Sequence, residues 1–398
     1  MPNAGAKETD VLVVGAGPAG LIAARTAARE GVDVVVVEEH NEVGFPVHCA
    51  GLLSIGGLRE IEVPPDVSFV QNEVSDAVFH SPGGLTFRIR GGERKAYVVD
   101  RRAFDKFLAE QATRAGADLR LGFRVDSFIL KNRQVVGVSG KDGSSLKAKV
   151  VIDAEGSSCK LLNKAGLKTP DQAAFLPATQ FEIDEVEVDP DCVEVFFGRK
   201  LAPGFFAWII PTRRCSARVG LACRGTNLPQ RLQDLVRDRL CTAKIVAKHG
   251  GRVYTGPPSP KTYDGGLLVV GDAAGHTKAT TGGGVILGGI CAKLAGITAA
   301  DAISKGTTSA TFLKTYEKSW KKRLGTEFRT MRLARRMGDM LSDKALDETF
   351  RLIIEKGLQR LIEERGQIDF QSRLLMRLAL DPSALKIVTR MVRDILEA

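Results

Sequence analysis

The chain has 398 residues, of which 44% are hydrophobic and 26% are charged, and its formal net charge is +10. This length exceeds what one hydrophobic core usually organises, and the composition excludes fibrous and disordered proteins, so we expect two or three coupled domains. Aromatic residues make up only 6% of the chain. Few rings are therefore left for stacking on bases, and we expect no nucleic-acid partner.

The seven cysteines lie between Cys49 and Cys291 and include no C-x-x-C pair. An odd number of scattered cysteines disfavours a disulfide framework and a zinc site, so no metal is expected. No apolar run approaches the roughly 18 residues that a membrane-spanning helix needs, and residues 1–10 contain no apolar signal region. We therefore expect a protein of a reducing compartment, the cytoplasm.

The chain opens with a pattern typical of a βαβ unit. Residues 11–14 are all apolar, as in a strand buried on both faces, and the glycine-rich stretch 15–20 follows directly. An alanine-rich stretch then predicts a helix to Glu30, and residues 32–37 predict a second buried strand that ends in Glu38. Further short apolar runs predict strands at 96–99, 150–153 and 267–271.

Other segments follow different periods. Residues 74–89 and 175–223 alternate apolar and polar side chains, which predicts antiparallel strands. After residue 285 nearly all of the chain has a helical period, with breaks predicted at Gly306, Gly325, Gly366 and Asp381-Pro382.

These patterns favour an α/β fold in which a Rossmann-like, nucleotide-binding domain is interrupted by an antiparallel β-rich substrate domain and followed by a C-terminal helical region. The predicted bounds are 1–73, 96–170 and 258–305 for the nucleotide-binding domain, 74–95 and 171–257 for the β-rich domain, and 306–398 for the helical domain.

The first glycine motif has the context that a dinucleotide site requires, a strand before it and a helix after it. Gly15 permits a tight turn, Gly17 lets the backbone approach a pyrophosphate, and Gly20 allows close packing of the helix on the strand. Glu38 ends the second strand, where a carboxylate accepts hydrogen bonds from a ribose. The alternative is a glycine-rich turn that binds nothing.

A second glycine-rich segment favours FAD over NAD. Gly271-Asp272 follows a buried strand, and Gly282, Gly283 and Gly284 open a new helix. A carboxylate at a strand end can hold the ribitol hydroxyls, and successive backbone N–H groups can face the pyrimidine edge of a flavin. There are simpler structural alternatives: Asp272 could cap a helix, and the glycines could form a flexible loop.

In these motifs the chain resembles the geranylgeranyl reductase family of flavoproteins, in particular its archaeal branch, within the larger group that has the p-hydroxybenzoate hydroxylase fold. The segments that carry the resemblance are Gly15-Ala-Gly-Pro-Ala-Gly20, Pro46-Val-His-Cys49, Val99-Asp-Arg101, Asp153-Ala-Glu-Gly156, Phe206-Ala-Trp208-Ile-Ile-Pro211 and Gly271-Asp272 with its following glycines. Ala279 stands where the family usually has a proline, and Phe206 where a tyrosine is common.

The resemblance implies FAD as cofactor and reduction of isolated double bonds in a geranylgeranyl chain. It assigns FAD contacts to Gly15, Gly17, Ala19, Gly20, Glu38, Glu39, Cys49, Ala50, Gly51, Arg101, Val125, Asp272, Gly282, Gly283, Gly284 and Val285. It places Cys49 near the flavin, in a catalytic or pocket-lining role. We also expect pocket positions for two histidines close to the flavin motifs and for residues of the alternating β region, namely His48, His276, Phe206, Trp208 and Pro211. Each assignment has a simpler structural alternative. Cys49 could be a small buried side chain and Arg101 a solvated charge. The two histidines could be hydrogen-bonded loop residues, and the two aromatic residues could be ordinary sheet core.

The resemblance leaves other classes open. A flavin monooxygenase of the same fold, acting on a small aromatic, is the enzymatic alternative, and a flavin electron carrier or lipid-binding protein is the non-catalytic one. The expected partners are a prenylated lipid and an external reductant, which is ferredoxin, a deazaflavin or NAD(P)H. No motif identifies the reductant or the proton donor.

The positive charge is concentrated in the C-terminal region, where residues 305–398 carry 20 Lys and Arg against 13 Asp and Glu. Its basic residues recur at three- and four-residue steps, so many share one helical face. We expect this face to hold the enzyme as a peripheral protein on the inner face of the cell membrane; a solvated face or a dock for an acidic ferredoxin are the alternatives. The residues are Lys314, Lys318, Lys321, Lys322, Arg329, Arg332, Arg335 and Arg336.

Overall fold

The computed structural model describes residues 8–380. Its strands are β1 (Thr9–Val14), β2 (Val34–Val37), β3 (Leu52–Ser54), β4 (Val70–Val74), β5 (Asp76–His80), β6 (Thr86–Ile89), β7 (Ala96–Val99), β8 (Asp118–Arg120), β9 (Val125–Lys131), β10 (Gln134–Gly140), β11 (Ser145–Asp153), β12 (Phe175–Asp184), β13 (Cys192–Phe196), β14 (Ala207–Arg213), β15 (Ser216–Ala222), β16 (Lys244–Tyr254), β17 (Tyr263–Asp264) and β18 (Leu267–Val269).

The helices described are α1 (Pro18–Arg29), α2 (Ile55–Glu60), α3 (Arg101–Arg114), α4 (Lys160–Lys164), α5 (Leu228–Arg239), α6 (Val285–Ser304), α7 (Ala310–Met340), α8 (Asp343–Glu355), α9 (Leu358–Arg365) and α10 (Ser372–Leu380). The break expected at Asp381-Pro382 and the rest of the predicted helical domain beyond residue 380 lie outside the described residues, as does most of the N-terminal segment 1–10.

The first sheet has the order β17-β18-β11-β1-β2-β8, with the β9–β10 hairpin attached to β11. Strand β1 lies at its centre, parallel to both β11 and β2. Val11 and Val13 pack on one face with α1 and α6, and Leu12 and Val14 pack on the other. Burial on both faces explains why these strands are wholly apolar, and the strands predicted at 11–14, 32–37, 150–153 and 267–271 are present.

The second sheet has the order β16-β12-β15-β14-β13-β5-β6. Strands β5 and β6 and strands β12 to β15 fall within the predicted alternating stretches 74–89 and 175–223, whereas β16 lies beyond them and was not predicted. One face of the sheet packs on α5. Residues 96–99 form a strand as predicted, but β7 lies in a separate antiparallel sheet, β3-β7-β4. The α/β fold class is confirmed, whereas the domain bounds stay predictions.

The C-terminal region is helical, with two differences from expectation. Gly306 and Gly366 end helices, but α7 runs through Gly325, because a single glycine inside a helix costs only about 1 kcal/mol and its buried face compensates. The 20-residue helix α6 is long and apolar enough to cross a membrane, contrary to the expectation that no segment is. Since 72% of its apolar window is buried inside the protein, α6 has the character of a core helix.

One face of α7 packs into the core through Tyr316, Trp320 and Phe328. Most of the predicted basic face lies on the outside, with Lys314, Lys318, Lys321, Lys322, Arg329 and Arg336 exposed and Arg332 half-buried. The prediction that Arg335 belongs to the exposed basic face is wrong. Its side chain is only 10% exposed, pairs with Asp339 and lies 4.9 Å from the ring centroid of Phe205.

Candidate active site

A cavity of about 1500 Å³ lies between the two large sheets and is bordered by α9, α10 and the segment that connects them. Ligand pockets commonly occupy roughly 300–1,000 Å³, so this volume accommodates a cofactor together with a second molecule. Every residue expected to contact FAD lines this cavity. The structure therefore brings these residues together, while their individual contacts with FAD stay predictions.

The turn after β1 forms one end of the cavity. Gly15 has φ of +100°, which favours glycine, and a Cβ on Gly20 would lie 1.9 Å from the carbonyl oxygen of Gly15. A Cβ on Gly17, in contrast, would meet nothing within 4 Å, because the space in front of it is the cavity. The turn thus leaves room for a pyrophosphate at the N-terminus of α1.

The carboxylate of Glu38 lies at the same end, at the end of β2. It accepts hydrogen bonds from the backbone N–H of Ala16 at 2.8 Å and of His40 at 3.0 Å, and Nδ1 of the His40 ring lies 2.5 Å from its Oε1. A carboxylate offers about four acceptor positions, so Glu38 retains capacity for a ribose hydroxyl. Glu39 and Val125 line the cavity nearby.

The flavin loop, which we define as residues 278–284, lies further along the cavity. Gly282 has φ of +71°, and Gly284 precedes the first turn of α6 at Val285. A Cβ on Gly284 would lie 2.8 Å from Oδ1 of Asp272, so the Asp272 carboxylate and the N-terminus of α6 are adjacent. Burial raises the pKa of Asp272, and the positive charge of Arg101 partly offsets that rise. This arrangement of one carboxylate beside the N-terminus of a helix fits the ribitol and pyrimidine edge of FAD.

Cys49, a half-buried free thiol, lines the cavity between these two ends. The guanidinium of Arg101 lies against this thiol and pairs with Asp105 at 3.0 Å. Burial lowers the pKa of Arg101, but Asp105 and Cys49 outweigh that effect and raise it above its ordinary value. The Arg101 side chain, only 11% exposed, is therefore a cation paired with Asp105 beside the Cys49 thiol, and not a solvated charge.

Arg218 on β15 organises this region, and our sequence analysis missed it. Its Nη1 donates to the backbone carbonyls of Ala50 at 3.0 Å and Val99 at 2.8 Å, and its Nη2 donates to Gln71 at 2.7 Å. One buried side chain thus ties the turn that carries Cys49 to the strand that leads into α3. The available signal was a charged residue within an otherwise apolar strand.

The floor of the cavity is a row of residues paired across the second sheet. His249, Gln180, Gly220 and Trp208 are in register on β16, β12, β15 and β14. The row continues through Val195 on β13 and Phe79 on β5. Neighbours in register share a face of the sheet, so the floor changes from polar at the β16 edge to apolar towards β5.

Two residues predicted for the pocket lie elsewhere. Phe206, Trp208 and Ile210 line the cavity, so by the alternation of a strand Pro211 faces away from it. His276 is fully buried against the rings of Trp320 and Phe328, and burial lowers its pKa to about 3. Pro211 and His276 are therefore removed from the candidate pocket.

His48 does lie at the cavity, in an exposed position at its rim. Its Nδ1 is 2.7 Å from the carbonyl oxygen of Gly250. This contact joins the Pro46–Cys49 segment to strand β16 of the second sheet.

The fold and this site define an FAD-dependent oxidoreductase. Residues 10–196 match the FAD dependent oxidoreductase family, and residues 175–253 match the geranylgeranyl reductase catalytic domain. The chain is 32% identical over 401 residues to digeranylgeranylglycerophospholipid reductase 2 of Methanopyrus kandleri, covering 97% of this chain and 100% of that relative. The chain therefore belongs to the digeranylgeranylglycerophospholipid reductase family, which confirms the resemblance seen in its motifs.

Solved structures agree with this assignment. A geranylgeranyl bacteriochlorophyll reductase-like protein from Thermoplasma acidophilum superposes with a TM-score of 0.87 at 28% identity, over 97% of this chain and 99% of that one. The p-nitrophenol 4-monooxygenase of Pseudomonas putida has a TM-score of 0.71 at 18% identity, over 95% of this chain and 98% of that one. The monooxygenase shares the fold alone.

Proposed function

We propose that this enzyme saturates isolated double bonds in the geranylgeranyl chains of archaeal glycerol ether lipids. The observation that carries the proposal is the continuous cavity, in which the space next to the flavin loop opens onto an apolar floor bounded by Trp208, Val195 and Phe79. A floor of this kind suits a long hydrocarbon chain better than a small polar aromatic. The name of the Methanopyrus kandleri relative supports the same substrate class.

For this reaction the protein has to align the alkene with the flavin, exclude water from the site and supply one proton. Bound FAD, once reduced, supplies the hydride. The apolar floor keeps water from the alkene, and the turn held by Arg218 fixes Cys49 at the cavity wall. We assign to the Cys49 sulfur a proton-donating or pocket-shaping role next to the reacting bond.

Two further elements belong to this proposal. An external reductant, which is ferredoxin, a deazaflavin or NAD(P)H, reduces the flavin. The exposed basic face of α7 holds the enzyme at an anionic membrane surface, where a lipid with diterpenoid chains resides.

Anaerobic turnover tests the function. The holoenzyme, with dithionite as chemical reductant, is incubated with a digeranylgeranyl glycerophospholipid, and the lipid is analysed by mass spectrometry. We expect the lipid to gain a pair of hydrogens for each reduced bond. Unchanged lipid would contradict the proposal, and oxygen-dependent hydroxylation of an aromatic by the same preparation would favour the monooxygenase alternative.

A further inference from the structure

A buried ion pair borders the flavin loop. Nζ of Lys278 lies 2.7 Å from Oδ1 of Asp369, and the two side chains are only 9% and 3% exposed. The other Asp369 oxygen accepts a hydrogen bond from the hydroxyl of Ser54, and Lys278 Nζ is also 3.4 Å from the carbonyl oxygen of Ile368. Lys and Asp are rarely buried to this degree, because removing both charges from water is costly. We therefore looked to the neighbouring flavin loop for a functional role that explains why this ion pair is buried.

Lys278 begins the turn that carries the flavin-facing glycines. Its carbonyl accepts from the N–H of Gly282 at 2.7 Å, and its own N–H donates to the carbonyl of Gly283 at 3.0 Å. A Cβ on Gly283 would lie 3.1 Å from the Lys278 ammonium nitrogen. The charged end of the side chain thus lies against the backbone of the loop itself. The next residue is Ala279, so no proline ring stiffens this turn.

Asp369 belongs to a different segment of the cavity lining, which adjoins the flavin loop. We call residues 366–371 the C-terminal wall, since they connect α9 to α10 and line the cavity. The wall makes a second contact with the flavin loop, in which the hydroxyl of Thr280 donates to Gln371 at 2.6 Å. Just beyond the wall, the N–H of Ser372 donates to Glu327 of α7 at 2.8 Å. The ion pair is the charged contact between the loop and this wall.

We propose that Lys278 and Asp369 are positioning residues that hold the flavin loop in its FAD-binding conformation and thereby couple FAD binding to closure of the C-terminal wall. Because the loop is bonded to the wall, FAD binding that stabilises the loop also stabilises the closed position of the wall. By linkage, a closed wall strengthens FAD binding by the same factor. The inference depends on FAD binding and not on the identity of the lipid.

The test measures the dissociation constant of FAD with the full-length protein, stripped of flavin and retitrated. We expect Lys278→Met and Asp369→Leu each to weaken FAD binding by about tenfold or more, and the double variant to be less impaired than the product of the two single effects, because no unpaired buried charge remains. Lys278→Arg, which keeps the charge, should restore most of the affinity. Arg365→Met, an exposed change close to the wall, is the matched control.

A second measurement covers the case in which the leucine variant does not fold. In Asp369→Asn, a change of nearly equal size, trypsin cleavage at Arg365 and Arg373 is compared with and without FAD. FAD should slow this cleavage in the wild type and have a smaller effect in Asp369→Asn. Two results would overturn the proposal. The first is wild-type FAD affinity in the Lys278 and Asp369 variants, with only their melting temperature lowered. The second is a double variant whose loss of FAD affinity equals the sum of the two single free-energy effects.

Discussion

The indole of Trp208 reaches across Gly220 to donate its Nε1–H to Oε1 of Gln180 at 3.3 Å, two strands away in the second sheet. The contact is possible because Gly220 has no side chain; a Cβ there would lie 2.4 Å from Cζ2 of the indole. A glycine in the middle of a sheet thus sets the orientation of the largest ring on the cavity floor.

Gly220→Ala should displace this indole and change the shape of the cavity floor, while leaving the FAD end of the cavity intact. We expect a loss of about 1–3 kcal/mol in the free energy of unfolding, as for other overpacked cores, and a raised KM for the lipid with normal flavin content. Urea unfolding and steady-state kinetics measure both effects. Gly250→Ala is the matched control, because a Cβ at Gly250 meets nothing within 4 Å; equal behaviour of the two variants would refute the account.

His276→Phe should make the protein more resistant to acid. Burial lowers the pKa of His276 to about 3 from an ordinary value of 6.5, and neither ring nitrogen has a hydrogen-bond partner. Between pH 6.5 and about 3, His276 is protonated in the unfolded chain but neutral in the folded protein. The free energy of unfolding therefore falls as the pH decreases through this range. At about pH 5 this costs roughly 2 kcal/mol, which a phenylalanine ring between Trp320 and Phe328 would not incur.

The measurement for His276 is urea unfolding of wild type and variant at several pH values. The two free energies should diverge as the pH is lowered, whereas His48→Gln, at an exposed histidine, should follow the wild type. Parallel curves for wild type and His276→Phe would show that the buried imidazole does not titrate as argued.

Cys49→Ala should lower lipid reduction by at least about tenfold, as for the loss of a proton-transferring group, while FAD occupancy stays near normal. The thiol lines the cavity, but the turn that carries it is held through the backbone of Ala50 by Arg218. Turnover and the ratio of flavin to protein absorbance are the readouts, with Cys241→Ala at an exposed cysteine as control. Full turnover in Cys49→Ala, or wholesale loss of flavin, would rule out this role.

Reversing charges on the exposed face of α7 should weaken binding to anionic vesicles by roughly a hundredfold or more, and binding should fade with salt. The informative variant is Lys318→Glu/Lys322→Glu/Arg336→Glu, since Arg335 is buried and Lys321 is paired with Glu317. Liposome co-sedimentation measures the effect. A triple reversal on the exposed β9–β10 region, Lys131→Glu/Arg133→Glu/Lys141→Glu, is the control. Equal binding to neutral vesicles, or none to either kind, would remove the membrane role.

The sequence was sufficient for the parts of the site that depend on neighbouring residues. The turn at Gly15 and the glycines before α6 are local motifs, because a phosphate-binding turn and a helix N-terminus are each built from one short segment. Sequence reasoning was weaker where orientation mattered. Pro211 follows Trp208 at an odd spacing on one strand, so its exclusion from the pocket was readable from the alternation of β14.

The remaining parts depend on contacts between distant segments. Arg218 meets Ala50, and Lys278 meets Asp369, only because sheet pairing and the C-terminal helices bring them together. His276 was misplaced because proximity to Asp272 in sequence does not fix which way a turn directs its side chain. Arg335 shares the helical period of its exposed neighbours, but in the folded protein the ring of Phe205 lies beside its guanidinium.

The C-terminal wall also determines an order of assembly. Residues 366–371 are synthesised after nearly every other segment that lines the cavity, and domains begin to fold while later residues are still being added. The turn at Gly15, the Cys49 segment and the flavin loop can therefore come together while that side of the cavity is still open. All residues expected to contact FAD, up to Val285, are therefore present in the growing chain before the C-terminal wall is added.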